Sequence, residues 1–257
     1  MHVTTDRTAV GSIEPLRSVG LNLRPLAEGT GLCRQILRTG DVNVIDESGA
    51  RLLHEGYDIR TYFDLRTASE RKCYGNAATL NAAGILTVEV PVSASSSRAI
   101  AGRRPSSDAY AIYYMGLLDD MTPSLPRLFT FIAALDGAPF MFGCHAGKDR
   151  TGIVAMLLLD TCGADSNTIA GDYEKSADYL LPHLFRFRDK WELKGETSED
   201  YATRLNPRGE TMHKVILNLN KVYGSISGYL TQCGVAEEYR KTVRDQYGVN
   251  SFKGGAQ

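Results

Sequence analysis

The segment from residue 143 to residue 152 restricts the fold of this chain more than any other stretch. It reads Gly-Cys-His-Ala-Gly-Lys-Asp-Arg-Thr-Gly and follows a short apolar run, Pro139 to Phe142, that suits a buried strand. Ile153 to Leu159 comes next and is apolar on every side, as a central helix is. A buried strand, a loop and a buried helix in this order are typical of a parallel sheet covered by helices.

The remaining pattern also alternates strands and helices. Strand-like runs occupy residues 57–65 and 86–92. Apolar residues recur at helical spacing over 108–119, 124–135, 166–185, 187–204, 209–223 and 235–247. We therefore predict an α/β fold in which helices flank a mainly parallel central sheet and the C-terminal third is helical.

No internal repeat or long linker divides the chain. We predict a flexible arm over residues 1–20, a single domain over 21–250 and a tail over 251–257. Within the domain, residues 183–204 place Phe185, Phe187 and Trp191 among charged side chains. That segment is a candidate helical lid over the functional site, and an ordinary packed helix is the alternative.

The charge balance limits the kinds of partner. Lys plus Arg number 29 and Asp plus Glu number 30, so there is no basic field for nucleic acid, and an anionic ligand needs a local cluster of positive groups. The longest apolar run, 153–159, is far shorter than the roughly 20 residues that span a bilayer, so we expect no stable membrane insertion. The N-terminus leads into no apolar signal region, which predicts a cytoplasmic location. The sequence leaves the oligomeric state open.

The cysteines and histidines indicate neither a disulfide framework nor a metal site. Five cysteines are an odd number at scattered spacing, and the five histidines form no His-x3-His pattern. We expect no metal and no cofactor. Only Cys144 is followed six residues later by a basic residue, and two glycines stand at fixed positions beside that pair. By chance this combination arises about once in a hundred such sequences.

The residue types in this loop suit the binding of a phosphoryl group. Successive backbone N–H groups that end at a helix N-terminus form an anion-binding concavity. Gly147 and Gly152 allow tight curvature and close helix packing. The same positive field favours the thiolate form of Cys144, and Arg150 can grip two phosphoryl oxygens at once. Cys144 can then attack phosphorus in line and form a phosphocysteine.

At this point the chain resembles the cysteine-dependent phosphatases, and more narrowly the bacterial tyrosine/lipid phosphatases with a Cys-x-x-Gly-Lys-Asp-Arg-Thr-Gly loop. The resemblance extends from about residue 20 to residue 250. One departure is Gly143, since the family commonly has His before the nucleophile. The further matching elements are Asn22-Leu23-Arg24, an Arg-containing strand at Leu37–Gly40 or Cys33-Arg34, Phe63–Arg66 followed by Glu70, and Tyr223–Ser225 followed by Tyr229-Leu230.

The resemblance implies a protein-tyrosine-phosphatase-like fold and assigns roles to the loop. It makes Asp149 the general acid, with Asp64 or Asp108 as substitutes. The Trp-Pro-Asp acid loop of many superfamily members is absent, because Trp191 is followed by Glu192 and Leu193. The expected catalytic residues are Cys144, Asp149 and Arg150, and the expected substrate-binding residues are His145, Ala146, Gly147, Lys148 and Thr151.

Several of these residues also have a purely structural interpretation. Asp64 and Arg66 are more often a buried ion pair at a strand end than groups that touch substrate, and Asn22 and Arg24 are treated in the same way. Asp149 alternatively caps a helix without taking part in catalysis. Tyr110, Tyr113 and Tyr114 recur at helical spacing and are expected to be mostly core residues.

The function predicted from the sequence is a metal-independent, tyrosine-phosphatase-like phosphomonoesterase. Its partner is a phosphate-ester substrate, namely phosphotyrosine in a phosphoprotein or a phosphoinositide-type phospholipid, and the added charge of Lys148 fits doubly charged substrates. Three alternatives remain open: a phosphatase dedicated to a small metabolite such as a nucleotide, nucleoside or sugar phosphate, a non-catalytic phosphate-binding module, and a sulfur-transfer protein.

Overall fold

A five-stranded sheet forms the centre of the structure, a computed structural model that describes residues 14–30, 32, 33, 35–93, 95 and 105–248. The strands are β1 (Arg24–Pro25), β2 (Ile36–Thr39), β3 (Thr61–Asp64), β4 (Leu86–Glu89) and β5 (Phe140–Gly143). Their order across the sheet is β1-β2-β5-β3-β4. Only the short β1 runs antiparallel to its neighbour, and the other pairings are parallel. The predicted α/β class with a mainly parallel sheet is confirmed.

Helices surround this sheet and make up the C-terminal third. They are α1 (Glu14–Val19), α2 (Glu47–Arg51), α3 (Ala68–Tyr74), α4 (Ala78–Ala82), α5 (Ser107–Met121), α6 (Leu125–Ala133) and α7 (Asp149–Thr161). They continue as α8 (Ser166–Glu174), α9 (Ser176–Leu180), α10 (Arg188–Glu192), α11 (Ser198–Leu205), α12 (Gly209–Tyr223), α13 (Ile226–Gln232) and α14 (Glu237–Tyr247). Short 3-10 turns lie at Val42–Val44 and Leu181–Phe187, and a π-helical turn at Leu52–Gly56.

Strand β5 lies between β2 and β3 and is buried on both faces. Its first three residues, Phe140 to Phe142, have no exposed surface, which explains why the strand reads as a continuous apolar run. In the parallel register, Gly143 stands beside Thr39 of β2 and Asp64 of β3. The carboxyl ends of three strands therefore meet at one edge of the sheet, where ligands bind in open α/β folds.

Helix α7 follows the loop after β5 and is buried from Thr151 to Leu159. It packs against α5, α8, α13 and α14, so its all-round apolar sequence has partners on every side. This burial holds the N-terminus of α7, and with it the loop, in a fixed place relative to the sheet.

The helical patterns after residue 165 are divided more finely than the sequence predicts. The run 166–185 becomes α8, α9 and the start of a 3-10 turn that contains Pro182, a residue that cannot continue an α-helical hydrogen-bond ladder. The run 187–204 is interrupted between α10 and α11, where Gly195 has a φ of +62°. Apolar spacing alone does not show such breaks.

The expected terminal segments are only partly described. Residues 1–13 and 249–257 lie outside the described residues, as does Arg34, so the tail and most of the predicted arm are not covered. The last part of that arm instead forms α1, and its Leu16 is completely buried. The Arg-containing strand is β2, which carries Arg38.

Candidate active site

Two glycines let the loop approach strand β2. A Cβ atom on Gly143 would lie 2.5 Å from the carbonyl oxygen of Thr39, and one on Gly147 would lie 2.6 Å from the same oxygen. Gly147 also has a φ of +68°, a left-handed conformation that side chains disfavour. The glycine found where related loops commonly have His is thus explained by a backbone contact that leaves no room for a side chain.

Cys144 lies at the start of the loop, and its side chain is almost completely buried. The Thr151 hydroxyl donates a hydrogen bond to its Sγ at 3.1 Å. Because Thr151 belongs to the first turn of α7, the sulfur also faces the positive end of that helix. Both features stabilise a negative charge on the sulfur, which is the reactive form of a cysteine.

Arg150 is held by Glu70 from outside the loop. Its Nη1 donates to Oε2 of Glu70 at 2.6 Å and its Nη2 to Oε1 at 2.5 Å. Nη1 also lies within hydrogen-bond distance of the carbonyl oxygens of Leu65 and Val92. Burial alone would raise the pKa of Glu70, but the hydrogen bonds and the charge of Arg150 outweigh it and lower this pKa to about 2. The guanidinium is therefore oriented before any substrate binds.

Asp149 is held at a single oxygen by two donors. The Tyr114 hydroxyl and the Lys148 ammonium each lie 2.7 Å from its Oδ1, and Tyr114 also contacts the Tyr173 hydroxyl. Burial would raise the pKa of Asp149, but the charge and hydrogen bond of Lys148 and the hydrogen bond of Tyr114 lower it below its ordinary value. The ammonium of Lys148 in turn lies 4.6 Å from the centre of the Tyr110 ring.

A buried polar group supports the loop from behind. Asn22 donates through Nδ2 to the carbonyl oxygen of Gly147 at 2.8 Å, and Arg24 donates to the side-chain oxygen of Asn22. Arg38 donates to the same Gly147 oxygen at 2.8 Å and forms an ion pair with Asp172. These residues bind the backbone of the loop from the side away from the pocket lining, so they support the shape of the loop.

Asp64 and Asp108, the two alternatives to Asp149 as general acid, lie outside the pocket above Cys144. Asp64 and Arg66 form an ion pair without exposed surface, with Arg66 Nη2 at 2.7 Å from Asp64 Oδ2. Asp108 has a side chain 72% exposed and pairs with Lys214 at 2.6 Å. Neither carboxylate lines the pocket above Cys144. Of the three aspartates, Asp149 is the one that lines this pocket.

A pocket of about 460 Å³ opens above Cys144. Its basic lining residues come from the loop and from the helical segment after α9, and its aromatic walls are tyrosines. The lining residues are Thr67, Glu70, Tyr110, Tyr113, Cys144, His145, Ala146, Lys148, Asp149, Arg150, Lys190, Lys194, Tyr201, Arg204 and Leu205. Five of these side chains are basic and two are carboxylates, which supplies the local positive cluster that a chain of near-zero net charge needs for an anionic ligand.

The ring of His145 forms part of the pocket wall. It stacks on Tyr74 with the ring centres 4.2 Å apart, and its Nδ1 is buried without a hydrogen-bond partner among the described residues. Burial, and next the charge of Lys190, lower the pKa of His145 to about 4. The imidazole is therefore neutral near pH 7 and contributes shape rather than charge to the pocket.

Several contributors to the site were not recognised from the sequence. Tyr110 and Tyr114 are buried as expected, yet Tyr110 lines the pocket and Tyr114 binds Asp149. Nothing in the sequence pointed to Asp172, because its role is to pair with Arg38, which lies 134 positions earlier in the chain. Lys190 and Lys194 had one usable signal, their spacing of four residues inside the candidate lid, which puts two charges on one helix face.

The described part of the chain contains neither a helix that could span a membrane nor a cluster of metal-binding side chains. Among its helices, none combines the length and the apolar character that crossing a bilayer requires. Within the same residues, no group of three or more His, Cys, Asp or Glu side chains is placed to bind a metal ion.

Comparisons with known proteins point in one direction. A family model described as the tyrosine phosphatase family matches residues 20–249. The chain is 32% identical over 137 residues to the triple specificity protein phosphatase PtpB of Mycobacterium tuberculosis, covering 49% of this chain and 48% of that protein. It is 31% identical over 147 residues to a tyrosine-protein phosphatase of Nostoc commune, covering 55% and 50%. The matches thus span about half the length of each of these relatives.

Proposed function

This chain belongs to the tyrosine phosphatase family, and we propose that it hydrolyses phosphomonoesters through a phosphocysteine intermediate. The observation that carries the proposal is the meeting of Cys144, Asp149 and Arg150 in one pocket at the N-terminus of α7. A nucleophile, an acid and a fixed guanidinium are the groups that cysteine-based phosphoryl transfer needs, and this chemistry requires no metal.

The first step transfers the phosphoryl group to sulfur. The thiolate of Cys144 attacks phosphorus, the bond between phosphorus and the leaving oxygen breaks, and Asp149 gives its proton to that oxygen. The loop amides of residues 145–150 and the guanidinium of Arg150 hold the three equatorial oxygens. The bound phosphoryl group brings negative charge next to Asp149, which raises the pKa of this carboxyl and so favours the protonated form that the step needs.

The second step releases phosphate. Water attacks the phosphocysteine, Asp149 accepts a proton from that water, and the bond between phosphorus and sulfur breaks. Cys144 leaves as a thiolate, which the hydrogen bond from Thr151 stabilises. The same carboxyl thus acts as acid in the first step and as base in the second, so the enzyme returns to its starting protonation state.

We take phosphotyrosine as the substrate class that the pocket fits best. Three tyrosines, Tyr110, Tyr113 and Tyr201, line its walls and offer aromatic faces to a phenyl ring. The names of the two relatives, a triple specificity protein phosphatase and a tyrosine-protein phosphatase, agree with this choice. The test compares kcat/KM for a phosphotyrosine peptide, a phosphoinositide and a nucleotide monophosphate. The highest kcat/KM for the peptide supports the phosphotyrosine proposal against the lipid and small-metabolite alternatives.

The nucleophile is tested by trapping the intermediate. Wild-type protein mixed with radiolabelled phenyl phosphate in excess chelator and quenched with acid retains label on the protein, and Cys144→Ser retains none and shows only trace turnover. Hydrolysis that survives Cys144→Ser, or hydrolysis that chelator abolishes, contradicts the proposal. The same experiment excludes the non-catalytic module, and an assay with thiosulfate as donor excludes sulfur transfer.

The acid is tested by varying the leaving group. Asp149→Asn slows phenyl phosphate about a hundredfold and slows an ester with a much more acidic phenol far less, because only the poor leaving group needs the proton. Asp108→Asn is the matched control, since this aspartate is exposed and lies outside the pocket. Equal slowing of both esters by Asp149→Asn removes the acid role.

A further inference from the structure

Three of the five basic side chains in the pocket already have carboxylate partners. Lys148 pairs with Asp149 at 2.7 Å, Arg150 with Glu70 at 2.5 Å, and Arg204 with Glu196 at 2.7 Å. Both carboxylates of the pocket are therefore engaged by these pairs. The remaining two cations are Lys190 and Lys194.

Lys190 and Lys194 form no ion pair with any residue that the structure describes. Lys190 belongs to α10, and Lys194 follows four residues later, just beyond the end of that helix. Both side chains line the pocket. The ammonium of Lys190 lies over the aromatic ring of Tyr74, whose centre is 5.5 Å away.

The surroundings of Lys190 favour an anionic partner. Burial is the main cause that lowers the pKa of Lys190, and the charge of Glu70, which acts in the opposite direction, offsets it only in part. A buried ammonium is costly to hold in a protein unless an opposite charge or hydrogen-bond acceptor compensates it. A ligand anion that enters the pocket provides this compensation.

We propose that Lys190 and Lys194 form a second anion subsite, so that the preferred substrates carry another negatively charged group next to the phosphoryl group that is transferred. The subsite rests on the proposed phosphatase function and adds a substrate requirement to it. The transferred group already has its own ligands in the loop amides and Arg150, whereas these lysines come from a different element of the fold. A carboxylate and a second phosphate are the two sources of the required charge.

Three synthetic substrates separate the two sources. Each is phenyl phosphate with an arm on the meta carbon: carboxymethyl, phosphonomethyl, or the neutral carboxamidomethyl. The methylene group insulates the leaving oxygen from the charge, and each molecule has one bond that is cleaved. We expect wild-type kcat/KM for a charged arm to exceed that for the neutral arm by about tenfold, the effect of about 1.4 kcal/mol in a rate ratio.

The variants then assign this preference to the two lysines. Lys190→Gln with Lys194→Gln brings the ratio of charged to neutral arm close to one, and each single variant removes part of it. Lys221→Gln, a loss of charge on the exposed side of α12, leaves the ratio as in the wild type. Thermal unfolding of every variant shows that the pocket segment remains folded, and the single variants carry the test if the double variant does not fold.

The outcomes are distinct. Preference for both charged arms, or for the phosphonate alone, supports the subsite and identifies the anion it takes. A wild-type ratio near one overturns it, and so does an equal fall of all three substrates in the lysine variants, which would mean that the lysines serve the transferred group. Failure of the proposed phosphatase function gives a different result from failure of the subsite. In that case the wild type does not hydrolyse the neutral substrate, or Cys144→Ser still hydrolyses it.

Discussion

Glu70 binds both terminal nitrogens of Arg150 with hydrogen bonds of 2.6 and 2.5 Å, although the two residues are 80 positions apart in the chain. Glu70 also closes a capping box with Thr67 at the start of α3. The carboxylate is therefore held by a local helix cap while it orients a group of the distant loop. The guanidinium of Arg150 is thereby fixed to the first turn of α3.

Removal of the Glu70 charge is expected to lower activity without removing a group that touches substrate. In Glu70→Gln the guanidinium of Arg150 loses its ion pair and one of its two hydrogen bonds to residue 70, and we expect kcat/KM for phenyl phosphate to fall by about tenfold to a hundredfold, as misplacement of a catalytic group does. Affinity for vanadate falls in parallel. Glu89→Gln is the control, since Glu89 also pairs with an arginine, Arg71, but lies outside the pocket. Unchanged kinetics in Glu70→Gln would contradict the role.

The same carboxylate makes stability depend on pH in a defined window. The folded-state pKa of Glu70 is about 2 against an ordinary value of 4.5, so the unfolded chain binds the proton first as pH falls. Its contribution to stability is complete above pH 4.5 and is lost as pH falls toward 2. Urea unfolding at pH 5.5 and at about pH 3 is expected to show a larger loss for wild type than for Glu70→Gln. Equal losses would show that Glu70 does not contribute.

Removal of the Tyr114 hydroxyl is expected to alter the pH dependence of the acid. Tyr114 donates to Asp149, and this bond stabilises the charged carboxylate. In Tyr114→Phe the pKa of Asp149 rises, and the alkaline limb of kcat for phenyl phosphate moves to higher pH by about one unit. A shift to lower pH, or none, contradicts this role.

Tyr247→Phe provides the comparison for Tyr114. The Tyr247 hydroxyl also donates one hydrogen bond, to the carbonyl oxygen of Ala138 at 2.9 Å, but Tyr247 does not line the pocket. We expect this variant to unfold at a lower temperature while its pH profile stays that of the wild type. The two variants together separate the loss of a buried hydrogen bond from the loss of a contact to Asp149.

Gly143 is expected to reject even the smallest side chain. In Gly143→Ala the Cβ atom meets the Thr39 carbonyl oxygen at 2.5 Å, so β2 or β5 has to move, and we expect the free energy of unfolding to fall by about 1 to 3 kcal/mol. Gly171→Ala is the matched control, because this glycine lies in α8 with no atom near its Cβ position. There we expect a gain of about 0.5 to 1 kcal/mol. Urea unfolding of both variants measures these two changes. If Gly143→Ala has the same free energy of unfolding as the wild type, β2 and β5 can move apart without cost and the prediction is wrong.

The local parts of the site could be predicted from the sequence. Cys144 and Arg150 lie in one loop between a buried strand and a buried helix, and their spacing, the glycines and the flanking apolar runs are all visible within about twenty residues. The resemblance to known phosphatases also pointed to Asn22, Arg24 and Glu70. It did not show what they touch, and the pairing of Glu70 with Arg150 became visible only in the fold.

Other parts were inaccessible because their partners are distant. Asp172 is one acidic residue among many in a helical pattern, and its pairing with Arg38 depends on the fold, which brings α8 close to β2. Tyr114 repeats at core spacing and is indeed buried, so periodicity could not separate it from a packing residue. The break at Gly195, which lies in the turn after the helix that carries Lys190, leaves the apolar spacing almost unchanged.

The amino-acid sequence by itself determined the proposed nucleophile, the strand–loop–helix unit that presents it and the α/β class, because these depend on residues that are neighbours along the chain. Only the tertiary structure decided which carboxylate orients Arg150, which hydroxyl holds Asp149 and which pocket lysines form no ion pair with another described residue. The physical reason is that hydrogen bonds and ion pairs act over a few ångströms, and chain folding alone determines which distant residues come that close.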